Sequence, residues 1–143
     1  MKVSTKGRYA LRMMLDLALN DRGEYISLRD ISLRQGITVK YLEQIVTGLT
    51  RAGFLKSQRG NSGGYRLARK PEEYTAGEIL RAVEGDLSPV ACLVGDHNDC
   101  ERADSCFVLS FWTGLRKQID DYVDGYTLQD FVDDVRSGNS AAV

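Results

Sequence analysis

Cys92, Cys100 and Cys106 form a C-x7-C-x5-C pattern in a stretch that also holds Gly85, Pro89 and Gly95. Thiolates are soft ligands that suit iron–sulfur clusters or zinc, and three of them on one loop can converge on a single centre. Two other readings of the same residues stay open, a buried structural role and a thiol redox pair. Zinc is a further variant, held tetrahedrally by three cysteines with a histidine or carboxylate. The single histidine, His97, lies inside the stretch with Asp96, Asp99, Glu101 and Asp104, and each is a candidate fourth ligand. A lone histidine in a polar loop is, however, ordinarily just solvated. One histidine allows no serine–histidine–acid set, and no phosphate-cradling glycine motif accompanies a lysine, so catalysis is not expected.

A second set of chemical groups lies in the first half of the chain. Leu42, Ile45, Val46 and Leu49 recur at helical spacing and leave Lys40, Tyr41, Glu43, Gln44 and Thr47 pointing away from that apolar stripe. A helix carrying such a face can enter the major groove of duplex DNA. There Gln44 can bridge adenine and Glu43 can accept from cytosine, while Lys40 and Tyr41 suit phosphate. Arg59, with Asn61 and Ser62 beside it, can reach a narrow minor groove, where negative potential is enhanced. Arg8, Arg51 and Lys56 are candidate phosphate clamps. Any one such residue is usually part of a solvated face. Their grouping around one helix and one hairpin gives the DNA reading its force.

The elements that must position these groups are mostly helices. Ser4 or Thr5 caps a first helix with Ala10, Met14 and Leu17 inward. The box Ser27-Leu28-Arg29-Asp30 opens a short helix with Leu28 and Ile31 inward, which stops at Gly36, and Thr38 caps the next, which ends near Gly53. Then the period changes to that of strands. Residues 54–59 and 65–68 read as a hairpin around Gly60-Asn61-Ser62-Gly63-Gly64. Two helices joined by a tight turn, followed by a glycine-tipped basic hairpin, describe a winged helix-turn-helix. The box Thr75-Ala76-Gly77-Glu78 starts a further helix with Ile79, Leu80 and Val83 on one face. Beyond the irregular cysteine loop, Val108, Trp112, Leu115, Ile119, Tyr122 and Tyr126 alternate spacings of four and three, a heptad-like seam for pairing with another helix. A last helix follows Thr127-Leu128-Gln129-Asp130, with Phe131 and Val135 inward. The expected organisation is a winged domain over 1–84, a sensor loop over 85–106, a dimerisation helix and terminal helix over 107–136, and a disordered tail over 137–143. The fold class is mainly α with a small β-hairpin wing.

Charge divides the chain the same way. The net charge of −1 conceals 14 Lys+Arg against 5 Asp+Glu in residues 1–70, a net of +9, and 5 against 15 in residues 71–143, a net of −10. The basic half suits a polyanion, and the acidic half is repelled from one, so it is expected to dimerise, sense or meet partners. With 43% hydrophobic and 27% charged residues the composition is that of a folded globular chain. There is no signal-peptide or membrane-spanning run, which predicts a cytoplasmic protein with reduced or metal-bound cysteines.

Three segments resemble one family: Ser4-Thr5-Lys6-Gly7-Arg8-Tyr9-Ala10, Tyr41-Leu42-Glu43-Gln44, and the wing from Arg59-Gly60-Asn61-Ser62-Gly63-Gly64 to Tyr65-Arg66-Leu67-Ala68. They are similar to the IscR/NsrR/RirA/CymR (Rrf-2 type) bacterial transcription regulators, over residues 1 to about 135. The resemblance implies a homodimer built on the long helix near the C-terminus, reading a palindromic operator in double-stranded DNA. It also implies that Glu43, Gln44 and Arg59 contact bases or grooves. Cluster-binding members hold a [2Fe-2S] or [4Fe-4S] centre with three cysteines in this loop, and the spacing here is most like that of RirA-type members. Other members lack the triad and work through a partner protein or thiol oxidation. The fourth ligand does not carry over. One subfamily uses a histidine three residues after the last cysteine, where Leu109 stands, and another an acidic residue where Arg8 stands. A cluster incompletely ligated by protein has a labile iron, which makes iron supply, oxygen or nitric oxide the implied signals. A loop between the winged domain and the dimer helix can set the spacing of two recognition helices, which operator half-sites about one helical turn apart, or a multiple of it, would test.

Overall fold

The structure is a computed structural model that describes residues 2–138. Its elements run α1 (Thr5–Leu19), α2 (Leu28–Gln35), α3 (Val39–Arg51), β1 (Leu55–Gln58), β2 (Gly64–Leu67), α4 (Ala76–Glu84), α5 (Leu109–Asp124) and α6 (Leu128–Arg136). Short 3-10 turns lie at Pro71–Glu73, Ala91–Leu93 and Ala103–Ser105. The fold is mainly helical with one antiparallel hairpin, as the periodicities required.

Side-chain caps decide where the helices begin, because the first N–H groups of a helix have no partner within it. Ser4, Ser27, Thr38, Thr75 and Thr127 each accept from a backbone N–H three residues on. Thr75/Glu78 and Thr127/Asp130 form complete capping boxes. At Ser27 only half of the expected box forms. The Asp30 N–H donates to Ser27 Oγ at 3.1 Å, and the Asp30 carboxylate does not answer the Ser27 N–H. Gly36 ends α2 at φ 66° and ψ 30°, the left-handed conformation that lets the chain reverse into α3 without a Cβ clash.

The core gathers Met13, Met14 and Leu17 of α1 with Ile31 and with Leu42, Ile45 and Leu49 of α3, all essentially inaccessible to solvent. The α3 stripe is buried as the spacing predicted. Two expectations shift in detail. On α6 the buried residues are Leu128 and Val132, with Phe131 half-buried and Val135 exposed; the Thr127 cap sets the phase, and positions 128 and 132 then face one side. Leu128 and Val132 join the cluster that contains the α1 residues, so the last helix packs into the winged core, although the sequence grouped it with α5. At the C-terminus, Ser137 closes α6 through its N–H to the Asp133 carbonyl at 2.9 Å, and Gly138 donates to the Val135 carbonyl. The rest of the tail expected to be disordered, residues 139–143, lies outside the described residues.

Asp16 is a charged side chain buried in this core, 2% exposed. Arg34 grips it with two hydrogen bonds of 2.9 and 2.7 Å, and Gln35 adds a third at 3.0 Å. That pairing satisfies the carboxylate and locks α1 to α2, and the hydrogen bond to Asp16 raises the already high Arg34 pKa.

Candidate functional site

The hairpin pairs Leu55 with Leu67 at its base and Gln58 with Gly64 at its tip. Both leucines are buried; alternation turns Lys56 and Gln58 to the opposite face, and Ser57, on the face of Leu55 but nearer the tip, is exposed as well. An isolated antiparallel bridge, absent from the sequence reading, flanks it: Ile26 and Tyr65 exchange two backbone hydrogen bonds of 2.8 Å each. Gly64 makes this approach attainable. At φ 147°, a Cβ there would lie 2.2 Å from the Ile26 carbonyl oxygen. Below the wing, Tyr74 is fully buried. Its hydroxyl donates to the Phe54 carbonyl at 2.7 Å and accepts from the Ala68 and Arg69 N–H groups, both at 3.0 Å. Burial pushes the Tyr74 hydroxyl pKa up, so it remains a donor.

On this frame the residues expected to meet DNA fall into two groups. Lys40, Glu43 and Gln44 on α3 and Arg59, Asn61 and Ser62 at the wing tip are exposed, as are Arg8 and Arg51. The Thr47 hydroxyl donates to the Glu43 carbonyl and so turns into its own helix. Tyr41 differs from its neighbours. It is half-buried and packs edge-on against Tyr9, with ring centroids 5.5 Å apart, so most of its surface serves the joint between α1 and α3. Lys40, Arg51, Lys56 and Arg59 enter no ion pair among the described residues, whereas Arg34, Arg66, Arg69, Arg81 and Arg116 each do. Lys56 and Arg59 of the wing and Lys40 and Arg51 of α3 are therefore uncompensated among the described residues, and a polyanion can neutralise them without breaking an internal ion pair.

Residues 85–106 form the irregular connection that the sequence indicated, and their two arms are held differently. In the first arm the Asp86 carboxylate accepts from the Ser88 and Gly95 N–H groups at 2.6 and 3.0 Å. The Gly95 N–H chiefly, then that of Ser88 and the nearby Arg116, hold the Asp86 pKa below the ordinary carboxylate value. Arg116 of α5 donates to the Leu93 and Gly95 carbonyls. The second arm bonds only locally, through contacts such as the Cys100 N–H to Asn98 Oδ1 at 3.0 Å and the Ala103 N–H to the Cys100 carbonyl. Cys92 and Cys106 are half-buried, Cys100 and His97 are exposed, and all the thiols are free. Among the described residues no group of three His, Cys, Asp or Glu side chains stands close enough to hold a metal ion. The three cysteines thus share one loop without converging on a common centre.

Helix α5 carries the expected seam on its surface. Val108, Leu115 and Tyr122 are exposed, Trp112, Ile119 and Tyr126 half-buried, and none of the helix's residues is fully buried. Phe107, just before the helix, and Phe111 add to this exposed apolar surface at 99% and 63% exposure, the kind of surface that marks an interaction site. The helix is held to α4 by Arg81, which pairs with Asp120 at 2.8 Å and Asp124 at 2.7 Å. Tyr126, bonded to Asp134, has its hydroxyl pKa pushed up to about 12. Glu84, a residue the sequence reading passed over, closes α4 and caps the start of α1. Its carboxylate accepts from the Ser4 and Gly7 N–H groups at 2.9 and 3.0 Å. Only the fold brings those positions together, and no local pattern marked Glu84, Tyr74 or Arg116. Among the described residues no helix is long and apolar enough to cross a membrane.

Comparison with known proteins agrees with this geometry. The Rrf2 family model, described as an iron-dependent transcriptional regulator, matches residues 3–134. The HTH-type transcriptional regulator IscR of Aliivibrio salmonicida is 38% identical over 134 residues, covering 94% of this chain and 79% of that protein. Among solved structures, T. potens IscR superposes with a TM-score of 0.77 at 36% identity, covering 100% of this chain and 94% of that one. CymR (YrzC), the global cysteine regulator of B. subtilis, gives 0.74 at 38% identity, covering 92% of this chain and 95% of that one. The family model and the Aliivibrio salmonicida relative are described as transcriptional regulators, a non-enzymatic role.

Proposed function

Since the chain belongs to the Rrf2 family of transcriptional regulators, we propose that it binds a palindromic operator as a homodimer and senses through an iron–sulfur cluster on the 85–106 loop. The observation that carries the DNA reading is the exposed face of Lys40, Glu43 and Gln44 on α3 beside a wing whose Arg59 is unpaired. Gln44 and Glu43 face base edges, Arg59 with Asn61 and Ser62 follows the minor groove, and Lys40, Arg8 and Arg51 neutralise phosphates. Tyr41 contributes at most its hydroxyl, since its ring is committed to Tyr9. The exposed apolar face of α5 supports the homodimer, because a second copy of the same helix removes it from water.

The donor set fits an iron–sulfur centre by its chemistry. Three unpaired thiols stand on one loop, and Cys100 lies on an arm bonded only to itself and so able to be drawn inward. Cys92, Cys100 and Cys106 would hold the cluster. His97, Asp96, Asp99, Glu101 and Asp104 are the loop's candidates for a fourth position. When bound, a cluster supplies an iron- and oxidant-sensitive crosslink between the two arms. The chain's own part is mechanical. Arg81 ties α4 to α5, and α3 lies against α4 so closely that a Cβ on Gly48 would meet the Ala82 carbonyl at 2.9 Å. A loop that alters the seating of α5 on α4 therefore alters the placement of two recognition helices in a dimer, and a few kcal/mol between two dimer geometries suffices as a switch.

A second reading, control by thiol oxidation or by a partner protein without a cluster, is favoured by one observation: the thiols stand apart rather than around a common centre. The absorption spectrum of anaerobically purified protein, with iron, sulfide and zinc counted per chain, separates the two. A brown protein with matched iron and sulfide that bleaches in Cys92→Ala supports the cluster. A colourless, metal-free protein that cannot be reconstituted contradicts it and leaves thiol or partner control. A protein holding zinc alone makes the loop structural.

A further inference from the structure

The two arms of the cysteine loop are anchored unequally, and the inequality has one source. Arg116 lies two turns into α5. Its guanidinium donates to the carbonyls of Leu93 and Gly95, stands 3.9 Å from the Asp86 carboxylate, and lies 3.6 Å from that of Asp120. Asp86 in turn accepts the Gly95 N–H, so one side chain and one carboxylate close the first arm into a ring around Cys92. Asp120 passes the attachment on, since its other oxygen is held by Arg81 of α4 at 2.8 Å. A planar guanidinium with several N–H donors can serve two carbonyls and two carboxylates at once, which an ammonium on a flexible stem cannot do.

We infer that Arg116 is a positioning residue, which pins the Cys92 arm to α5 and, through Asp120, to α4. Cys92 is thereby set at a fixed place relative to Cys106, which lies three residues before the start of α5. Cys100 is left as the movable thiol of the loop. The inference rests on the reading of this loop as the sensor. It adds the residue that preorganises half of it, so that only the 96–105 arm has to be ordered when the loop takes its ligand.

The test is site-resolved alkylation of the reduced, metal-free full chain by limiting iodoacetamide, read at each cysteine by peptide mass spectrometry. Opening of an anchored segment sets how often a partly buried thiol meets the reagent. In the unmodified protein Cys92 is expected to react more slowly than Cys100. Arg116→Ala is expected to raise the Cys92 rate by about tenfold while Cys100 stays within about twofold, with Arg116→Lys in between. Asp120→Asn keeps the guanidinium on its carbonyls and is expected to raise the Cys92 rate by about threefold. An unchanged Cys92 rate in Arg116→Ala overturns the inference, and so does a parallel rise at all three cysteines, which signals general loosening. An Asp120→Asn protein indistinguishable from the unmodified one overturns the link to α4. Anaerobic loading with iron and sulfide runs alongside. If the unmodified protein takes up no cluster, the cluster reading fails alone, and the alkylation ratio still judges Arg116.

Discussion

Around the wing, distant parts of the chain answer one another's backbone groups: Ile26 pairs with Tyr65, the Tyr74 hydroxyl serves three backbone partners, and Gly64 leaves room for the crossing. Across residues 85–106 the bonds are few, and those beyond Gly95 connect near neighbours. The first region presents a fixed face on which Lys56 and Arg59 enter no ion pair among the described residues. The second presents free thiols, and one of them, Cys100, stands on an arm with little to lose by rearranging. A reader of DNA gains from a face that is already in place, because ordering it at the moment of binding would cost affinity. A sensor gains from a segment of low local stability, since only such a segment can be shifted by a small differential binding energy.

Six substitutions probe that contrast, and the largest effect belongs to the rigid half. Arg34→Ala leaves Asp16 buried with Gln35 as its remaining side-chain partner and is expected to cost about 3 kcal/mol, the low end for breaking a buried pair because Arg34 itself is partly solvated. A fall in Tm on the order of 10 °C in a thermal melt checks it. Gly64→Ala drives a Cβ against the Ile26 carbonyl at a positive φ and is expected to cost about 2 kcal/mol, with fraying of the wing visible as faster amide exchange at Tyr65. Preserved protection at Tyr65 would show that the Ile26–Tyr65 bridge does not depend on this glycine.

The next expectation concerns the reading face itself. Gln44→Ala or Arg59→Ala should weaken operator binding by about tenfold to a hundredfold while leaving Tm within about 1 °C, because both side chains stand free of the core. Arg51→Ala should instead weaken all sequences alike and reduce the slope of log affinity against log salt by about one. The smallest effect lies in the loop and depends on pH. The folded Asp86 carboxyl titrates below its ordinary value, so the stability it contributes is present above about pH 4, the unfolded value, and is lost as pH falls through the lower folded one. Asp86→Asn should therefore show a shallower loss of Tm between about pH 5 and pH 2.5 than the unmodified chain. Matching acid limbs in the two proteins would mean that the Gly95 and Ser88 hydrogen bonds add nothing to the fold.

The same contrast explains what the sequence made legible. Helix starts were readable because a Ser or Thr cap and its partner lie three residues apart, and the α3 stripe was readable because burial follows a fixed period. Asp16, Tyr74, Glu84 and Arg116 were not, since each acts on groups far away in the chain or on backbone atoms that carry no residue signature. The phase of α6 was misplaced, with Phe131 and Val135 expected inward where Leu128 and Val132 are buried, because its apolar residues allow more than one face. For the candidate site, the exposed α3 and wing residues followed from alternation and helical spacing. The arrangement of the cysteines did not, because spacing says how far thiols can reach and nothing about where a loop holds them.

The most direct test of the account is operator affinity measured on one anaerobic preparation before and after loading with iron and sulfide, using a duplex selected from a random-sequence pool. The expected result is a change of about tenfold or more between the two states, equivalent to about 1.4 kcal/mol of differential binding, that disappears in Cys106→Ala. Equal affinity in both states, with the cluster fully loaded, would contradict the claim that this loop governs how the winged domain meets DNA.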